Sequence, residues 1–461
     1  MITLHEIINE NPTWFTAERS LFKAYFLRKF CVNIQDWVLR KMEHESLRNL
    51  ENQQLRRIQQ LLRHAYKSVP FWNKLLNDLG ILPQNVKSLE DFQKISITPK
   101  TKFKTIPLQE RISHRVKQSR FYSLKTSGST GTPTSIMLDK WASERIIAIR
   151  ERGVRWVIGF RQKRDKFIRI SPRNTFYTDY KVFEVRDFMH VDMIKEELFA
   201  ICKKNECVIF TNPSTMFYLT QLAERDKQNL ALKGISLSGE DVLVSTIEYI
   251  ERIFQCTTMN RYTCSEVQTL ASTCKYGKYH TNPDQNYVEV IDTDKNISIC
   301  GKAGKIVVTD FNNYVMPLIR YEVGDIGILY TDHHCKCGLL FPIIEFVGRD
   351  TAIIKLPNGE INFVWKILSP LTETNKRSWI IQFQVIRKSV FDFDIFIVTT
   401  NEEVQHDIDL LATEMQKKLG INAKIKIIKV PRIHLSDGEK LRSYISHAKT
   451  DEKDIIHEEN E

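Results

Sequence analysis

At 461 residues the chain is longer than a single hydrophobic core usually spans, so two or three domains are expected. It is 42% hydrophobic and 27% charged, with no apolar run of bilayer length and no basic-then-apolar leader in MITLHEIINENP, so a cytoplasmic globular protein without membrane insertion is expected. The formal charge of +11, from 67 Lys and Arg against 56 Asp and Glu, is scattered along the chain, which argues against nucleic acid and for attraction of small anions.

Apolar residues recurring at three and four predict helix over 14–68, through Phe22, Tyr25, Phe26 and Phe30 and then Leu55, Ile58, Leu61, Leu62 and Ala65. Pro70, Pro83 and Pro99 divide 70–105 into short helices and turns. Next comes TSGSTGTPTS, residues 126–135, with seven hydroxyl side chains between the aromatic Phe121 and Tyr122 and the apolar Ile136, Met137 and Leu138. On its own this strip suits a surface turn or a linker as well as it suits a phosphate loop, in which backbone amides and hydroxyls donate to phosphate oxygens. It is not a G-x-x-x-x-G-K-[ST] loop, because Gly128 and Gly131 stand too close and no Lys follows.

A helix is predicted from about Ala142 to Trp156. Over 167–238 the strands KFIRIS, CVIFTNPS and GISLSGE alternate with the helical TMFYLTQLAERDKQ, the pattern of an α/β layer with parallel strands. Over 286–331 short strands separated by Gly and Asp predict a mostly antiparallel sheet or small barrel. Past FVGRD, residues 346–350, the strands IQFQVIRK, FDIFIVTT and AKIKIIKV with a helix near Asp407–Leu419 make a separate small α/β domain. The tail from Lys449 is charged and reads as disordered.

Four further stretches carry chemistry-bearing residues. SLSGEDVL sets Gly239 and Glu240 at a strand end, where open α/β sheets meet ligand. RYTCSEV gathers Arg261, Tyr262, Thr263 and Glu266 at another strand end; LIRYEVGDIG holds Arg320 and Asp325 beside a turn; SDGEKLR carries Lys440 on a loop. Taken singly, each has a plain structural account as a helix-start carboxylate, a turn residue or a solvated charge.

In order, these stretches resemble the adenylate-forming superfamily, and within it the branch of phenylacetate–CoA ligases, coenzyme F390 synthetase-like proteins and capsule-biosynthesis proteins. The resemblance runs from about Gln53 to Ser446, through HAYKSVPFWNKLLNDLGI, SLEDFQKISITPKTKF, TSGSTGTPT, SGEDVL, RYTCSEV, IRYEVGDIG, GRD and GEKLR. It implies an α/β fold in which a large multi-layer adenylation domain, residues 1–347 with a helical extension over 1–68, is followed by a small mobile α/β lid, residues 348–448. The large domain would contain mixed sheets flanked by helices and a small barrel-like part.

The implied activity is ATP-dependent conversion of a carboxylic acid to acyl-AMP with release of pyrophosphate, then transfer to CoA or another nucleophile. By the resemblance, Thr126, Ser127, Gly128, Ser129, Thr130, Gly131 and Thr134 hold the terminal phosphates of ATP, and Glu266 binds Mg²⁺. Gly239, Glu240, Arg261 and Tyr262, with Thr263 beside them, frame the adenine. Asp325 takes the ribose hydroxyls, Arg349 meets ribose or phosphate, and Lys440 reaches the acid and the α-phosphate. The chemistry agrees: a carboxylate attacking phosphorus brings two anions together, so cations must neutralise the approach, and a lysine on a mobile domain shields the intermediate from water.

Nine Cys in a reducing compartment read as buried thiols, metal ligands or reactive groups rather than disulfides. Cys274, His280, Cys335 and Cys337 fit a closed tetrahedral structural Zn²⁺ site, and the branch has Cys, His and C-x-C-G at similar positions; the alternative is two unrelated pairs of buried thiols. His333 and His334 are spare ligands. Two departures from the family pattern stand out: Asp350 directly follows Gly348 and Arg349 at the hinge, which puts the CoA step in doubt, and Cys264 occupies a position more often small or apolar, where it reads as a packing thiol. Phe210, Met216, Tyr218 and Trp141 are apolar candidates for the acid pocket, which suits an aryl or arylacetic acid but also an amino or fatty acid. A non-catalytic nucleotide-binding relative and an amide- or ester-forming enzyme without CoA are the competing readings, and the sequence leaves a homodimer open.

Overall fold

The computed structural model describes residues 34–43, 45–116, 122–125, 135–159, 166–171, 181–185, 188–230, 232–292, 300–331, 334–349, 353–356, 361–372, 379–399, 404–420, 422–433 and 441–447. The chain forms two compact units, Met1–Val157 with Arg261–Val347, and Ile158–Asn260 with Gly348–Glu461.

The first unit opens on helix. Where the periodicity predicts one continuous run, the described residues hold helix over 34–42 and then α1, Leu47–Ser68. The break has a local cause: the Ser46 hydroxyl accepts from the Asn49 amide and so starts a new helix. α1 buries Leu50, Ile58, Leu61, Leu62 and Ala65 on one stripe. After α2, Pro70–Asp78, the indole of its fully buried Trp72 donates to the Pro317 carbonyl at 3.0 Å. α3, Lys100–Thr105, precedes an antiparallel pair, β1 (Tyr122–Lys125) and β2 (Ser135–Leu138), with Lys125 opposite Ser135. The strip over 126–134 lies between them, outside the described residues. Asp139 then caps α4, Lys140–Ile158, accepting from the Ala142 amide at 2.7 Å.

In the second unit β3 (Lys166–Ser171), β4 (Lys181–Glu184), α5 (Phe188–Lys204), β5 (Cys207–Thr211), α6 (Pro213–Arg225), β6 (Leu232–Ser238) and α7 (Val244–Phe254) follow in turn. The strands lie in the order β6-β5-β3-β4, all parallel, as the alternation predicts. Every residue of β5 is buried, which is why CVIFT reads as an unbroken run instead of an alternating one.

β7, Thr257–Cys264, carries the chain back into the first unit at Arg261. β8 (Gln268–Thr273), β9 (Tyr279–Thr281), β10 (Asn286–Ile291), β11 (Ala303–Asp310), β12 (Tyr321–Tyr330) and β13 (Ile343–Arg349) complete its sheet in the order β10-β11-β12-β13-β9-β8-β7. The pairs β7/β8, β8/β9, β9/β13, β10/β11 and β11/β12 are antiparallel.

The rest of the second unit comprises β14 (Ile353–Lys355), β15 (Ile361–Phe363), α8 (Val364–Thr372), β16 (Ile380–Arg387), β17 (Asp392–Thr399), α9 (Gln405–Leu419), β18 (Lys424–Lys429) and β19 (Tyr444–Ser446). Its four-stranded sheet, β18-β17-β16-β19, buries Val385, Phe393, Ile395 and Ile397 against Leu411 and Met415 of α9. This layer meets α6 and α7 of the same unit through the apolar cluster Phe217, Tyr249, Ile381, Val398 and Ile433. The hydroxyls of Ser245 and Thr246, at the start of α7, donate to the carbonyls of Ile380 and Ile381.

Candidate active site

In the first unit Glu266 occupies the turn between β7 and β8 and is 2% exposed. A buried carboxylate needs partners. It has two: the Lys100 ammonium at 2.9 Å and the Tyr321 hydroxyl, which donates at 3.2 Å. The backbone sets both in place. Thr98 donates its amide to the Arg320 carbonyl at 2.8 Å and accepts from the Glu322 amide at 3.0 Å, so the start of α3 is zipped to the start of β12. Burial, reinforced by the Glu266 charge, drives the Tyr321 phenol far above its ordinary range and keeps it a donor.

Tyr262 and Asp325 also come together, the Tyr262 hydroxyl donating to the Asp325 carboxylate. Asp325 does not sit beside a turn, as the Gly-Asp pair suggests; it lies inside β12, directly after Gly324, whose φ of 87° supplies the irregularity without ending the strand. The Tyr262 ring stacks on Phe346, with centroids 3.4 Å apart. On the same strand Arg261 is buried opposite Ser272, and Thr263 stands opposite Thr269. Arg320 belongs to the scaffold: its guanidinium is buried on Glu289, at 3.0 and 3.1 Å, and on the carbonyls of Gln93 and Ile95.

In the second unit Gly239 ends β6 with φ of 93°, a conformation that favours glycine, and turns the chain so that Glu240 meets the start of α6. The Glu240 carboxylate accepts from the Ser214 amide at 3.0 Å and hydroxyl at 2.7 Å, and from the backbone amide of Leu441 at 3.3 Å. Two residues on, the Ser443 hydroxyl donates to Asp241 at 3.4 Å. Arg349 is exposed at the end of β13. Thr126, Ser127, Gly128, Ser129, Thr130, Gly131, Thr134, Asp350 and Lys440 lie outside the described residues.

Cys274, His280, Cys335 and Cys337 converge in the first unit with their ligand atoms all within 4.8 Å of one another. Cys274 ends the β8 side of a hairpin, His280 is on β9, and the Cys335 carbonyl accepts from the Gly338 amide in a tight turn. The Cys274 and Cys335 sulfurs are 3.7 Å apart, close to the ~3.8 Å between two thiolates of a tetrahedral zinc ion. His280 donates from Nδ1 to the Phe341 carbonyl at 2.8 Å, which turns Nε2 toward the Cys337 sulfur at 3.3 Å. Burial works against the Cys335 thiolate, yet hydrogen bonds from the Cys337 amide and the neighbouring thiols hold it below the ordinary thiol range. The donor set therefore fits zinc with no open position. His334 is exposed and outside the cluster, and His333 is outside the described residues.

No family model matches the chain. It is 24% identical to the phenylacetate-coenzyme A ligase of Thermus thermophilus, over 88% of this chain and 97% of that one. It is 21% identical to the CapK protein of Staphylococcus aureus, over 97% and 100%. The fold is that of 2-hydroxyisobutyryl-CoA ligase in its postadenylation state with 2-HIB-AMP, at a TM-score of 0.71 and 19% identity, covering 91% of this chain and 93% of the other. The chain is thus similar in sequence to phenylacetate-coenzyme A ligases and to CapK, and shares the fold of a CoA ligase solved with an acyl-adenylate.

Three partners of these carboxylates escape motif reading. Lys100, Tyr321 and Ser214 are hidden in ordinary-looking segments, although Lys100 leaves a trace: a lysine in the first position of a helix opposes the helix dipole and calls for a carboxylate nearby. Of the apolar pocket candidates, Met216 and Tyr218 belong to the second unit's core and Phe210 is buried against Phe167. Cys264 packs against the first unit's core, and burial pushes its thiol up to about 12, the behaviour of a packing thiol.

Proposed function

We propose that this adenylate-forming ligase activates a carboxylic acid with ATP, forming acyl-AMP and releasing pyrophosphate, and then passes the acyl group to CoA or another nucleophile. The observation that carries this reading is the hydrogen bond from the Leu441 amide to Glu240. It joins the residue after Lys440 to the strand-end loop read as the adenine frame, two stretches with related roles that lie 201 positions apart. The likeness to a phenylacetate-coenzyme A ligase over 88% of the chain supports the same chemistry.

In this reading Lys440, carried by a lid over 348–448, neutralises the charge that builds as a carboxylate attacks the α-phosphorus. Gly239, Glu240, Arg261, Tyr262 and Thr263 frame the base, Asp325 accepts from the ribose hydroxyls, and Arg349 meets ribose or phosphate. The hydroxyls and amides of 126–134 donate to the leaving pyrophosphate. Glu266 is the residue to hold Mg²⁺, whose charge neutralises the phosphate oxygens when bound; in the free chain Lys100 is the cation on that carboxylate. Cys274, His280, Cys335 and Cys337 would hold a structural Zn²⁺ that ties the β8–β9 hairpin to the segment leading into β13. An aryl or arylacetic acid is the proposed substrate class and the cytoplasm the proposed location.

Acid-dependent exchange of pyrophosphate into ATP tests the reaction. Lys440→Ala should lower exchange by about 10² to 10³-fold while leaving the fold intact, and unimpaired exchange in that variant would sink the assignment. ADP as product would mean a kinase, and nucleotide binding without either product a non-catalytic relative; a thioester formed only when CoA is added would identify the acceptor. After dialysis, about one zinc per chain is expected by metal analysis, and none in the Cys335→Ser, Cys337→Ser protein.

A further inference from the structure

Arg111, the last residue of a short helix over Leu108–Arg111 in the first unit, is buried, with 7% of its surface exposed. The backbone just beyond it is fixed on two sides: the Ser113 amide donates to the Val315 carbonyl at 2.8 Å, and the His114 amide to the Ser68 carbonyl at 3.0 Å. The guanidinium lies over the Phe103 ring, 5.1 Å from its centroid, and Phe103 meets Tyr321 edge-on at 5.5 Å. Tyr321 in turn donates to Glu266. One series of contacts therefore runs from the Arg111 guanidinium to the Glu266 carboxylate.

Nε and Nη1 of Arg111 are enclosed and have no hydrogen-bond partner. Among the described residues no carboxylate pairs with the group, in contrast to Arg152 on Asp284 and Arg320 on Glu289. Burial pulls its pKa below the ordinary guanidinium range, and the neighbour that opposes this is the Tyr321 phenol. A guanidinium stays charged at any ordinary pH, so it cannot escape the cost of burial by giving up a proton. The aromatic face offsets part of that cost. It supplies no acceptor for the two N–H groups, which an arginine kept for structure alone would have found. The arrangement fits a cation parked on a ring until an anion arrives.

The guanidinium fork matches the oxygens of phosphate or carboxylate. Glu266 at the other end of the series favours phosphate, because a carboxylate that holds Mg²⁺ belongs beside phosphate oxygens. We propose that Arg111 is a phosphate-binding residue, whose guanidinium leaves the Phe103 ring to take either the terminal phosphate of a nucleotide or free pyrophosphate. The nucleotide source rests on the adenylation reading above; the free anion does not.

The test uses the full chain with Mg²⁺. Binding of pyrophosphate, ATP and AMP is measured by calorimetry for wild type, Arg111→Met and Arg111→Lys, together with the unfolding midpoint of each protein without ligand. Arg111→Met keeps a side chain on Phe103 and removes the charge. It should bind pyrophosphate about 10- to 100-fold more weakly, with AMP unaffected and the midpoint no lower than that of wild type. Arg111→Lys retains the charge without the fork; it should recover part of the loss, and it decides the matter if Arg111→Met does not fold. A parallel loss for ATP assigns the phosphate to the nucleotide, and a loss for pyrophosphate alone assigns it to the free anion. Equal pyrophosphate affinity in all three proteins, an equal loss for AMP, or a lowered midpoint with ligand binding intact overturns the proposal, the last because it makes Arg111 a structural residue. If the Arg111 effects hold but wild type shows no acid-dependent pyrophosphate exchange, the adenylation reading fails and the anion site stands. Acid-dependent exchange with unchanged affinities in Arg111→Met overturns this proposal alone.

Discussion

The two units handle polarity in opposite ways. In the first, charges are buried and paired: Arg152 with Asp284 at 2.9 Å, both fully buried, Arg320 with Glu289 at 3.0 Å, and Lys100 with Glu266 at 2.9 Å. In the second, the four-stranded layer is held to α6 and α7 by neutral contacts, the hydroxyls of Ser245 and Thr246 on two carbonyls and a five-residue apolar cluster. Breaking a buried ion pair strands a charge and costs several kcal/mol, whereas a neutral hydrogen bond exchanged for water costs about one. The first arrangement suits a scaffold that must hold its geometry. The second suits a part that has to let go and return, which the proposed lid would do.

The sharpest way to break that contrast is Asp284→Asn. It leaves Arg152 buried with Arg145 close by and no counter-charge, so a loss of about 3–5 kcal/mol in denaturant unfolding is expected. The pH dependence supplies a second check. Burial would raise the Asp284 pKa, but Arg152 and Arg145 hold it below the ordinary carboxylate range. A lowered folded pKa gives stability that is complete above the unfolded value and disappears as pH falls through the folded one. The gap between wild type and variant should therefore narrow on acidification, and a gap independent of pH would mean the pair is not what stabilises this core.

Tyr262→Phe is a milder probe. It removes the donor to Asp325, leaving the stacking on Phe346 in place, and should raise the KM for ATP by about 5- to 10-fold in exchange assays with little change in stability. An unchanged KM would separate Asp325 from the nucleotide. Smallest of all should be Ser245→Ala with Thr246→Ala, at about 1 kcal/mol each or less. Hydrogen exchange ought to report faster opening of β16 with the first unit's amides unaffected, and equal loosening of both units would erase the distinction drawn between them.

Much of this was legible in the residues. The parallel alternation over β3–β6 follows from strands buried on both faces between helices, and the antiparallel β10–β12 from short strands broken by Gly and Asp. The convergence of Cys274, His280, Cys335 and Cys337 could be proposed because only a few side chains bind soft metals, so their mere presence is informative. Lys100 on Glu266 and Ser214 on Glu240 were not legible, because Lys and Ser are common and contacts between distant stretches leave no local pattern. The helix break at Ser46 was missed for a smaller reason: a cap competes with periodicity, and the apolar stripe on both sides hides it.

The order of the motifs, the strand and helix periods and the metal-binding residue types belong to the sequence alone, since each depends on chemistry within a few positions of the chain. Which partner each buried carboxylate would receive was decided only by the fold. Glu266 acquired a lysine and a phenol, while Asp310 received the backbone and side-chain amides of Asn312 on one oxygen. Burial removes the water that would otherwise satisfy every such group equally, so the fate of each charge depends on what the tertiary structure brings to within three ångströms of it.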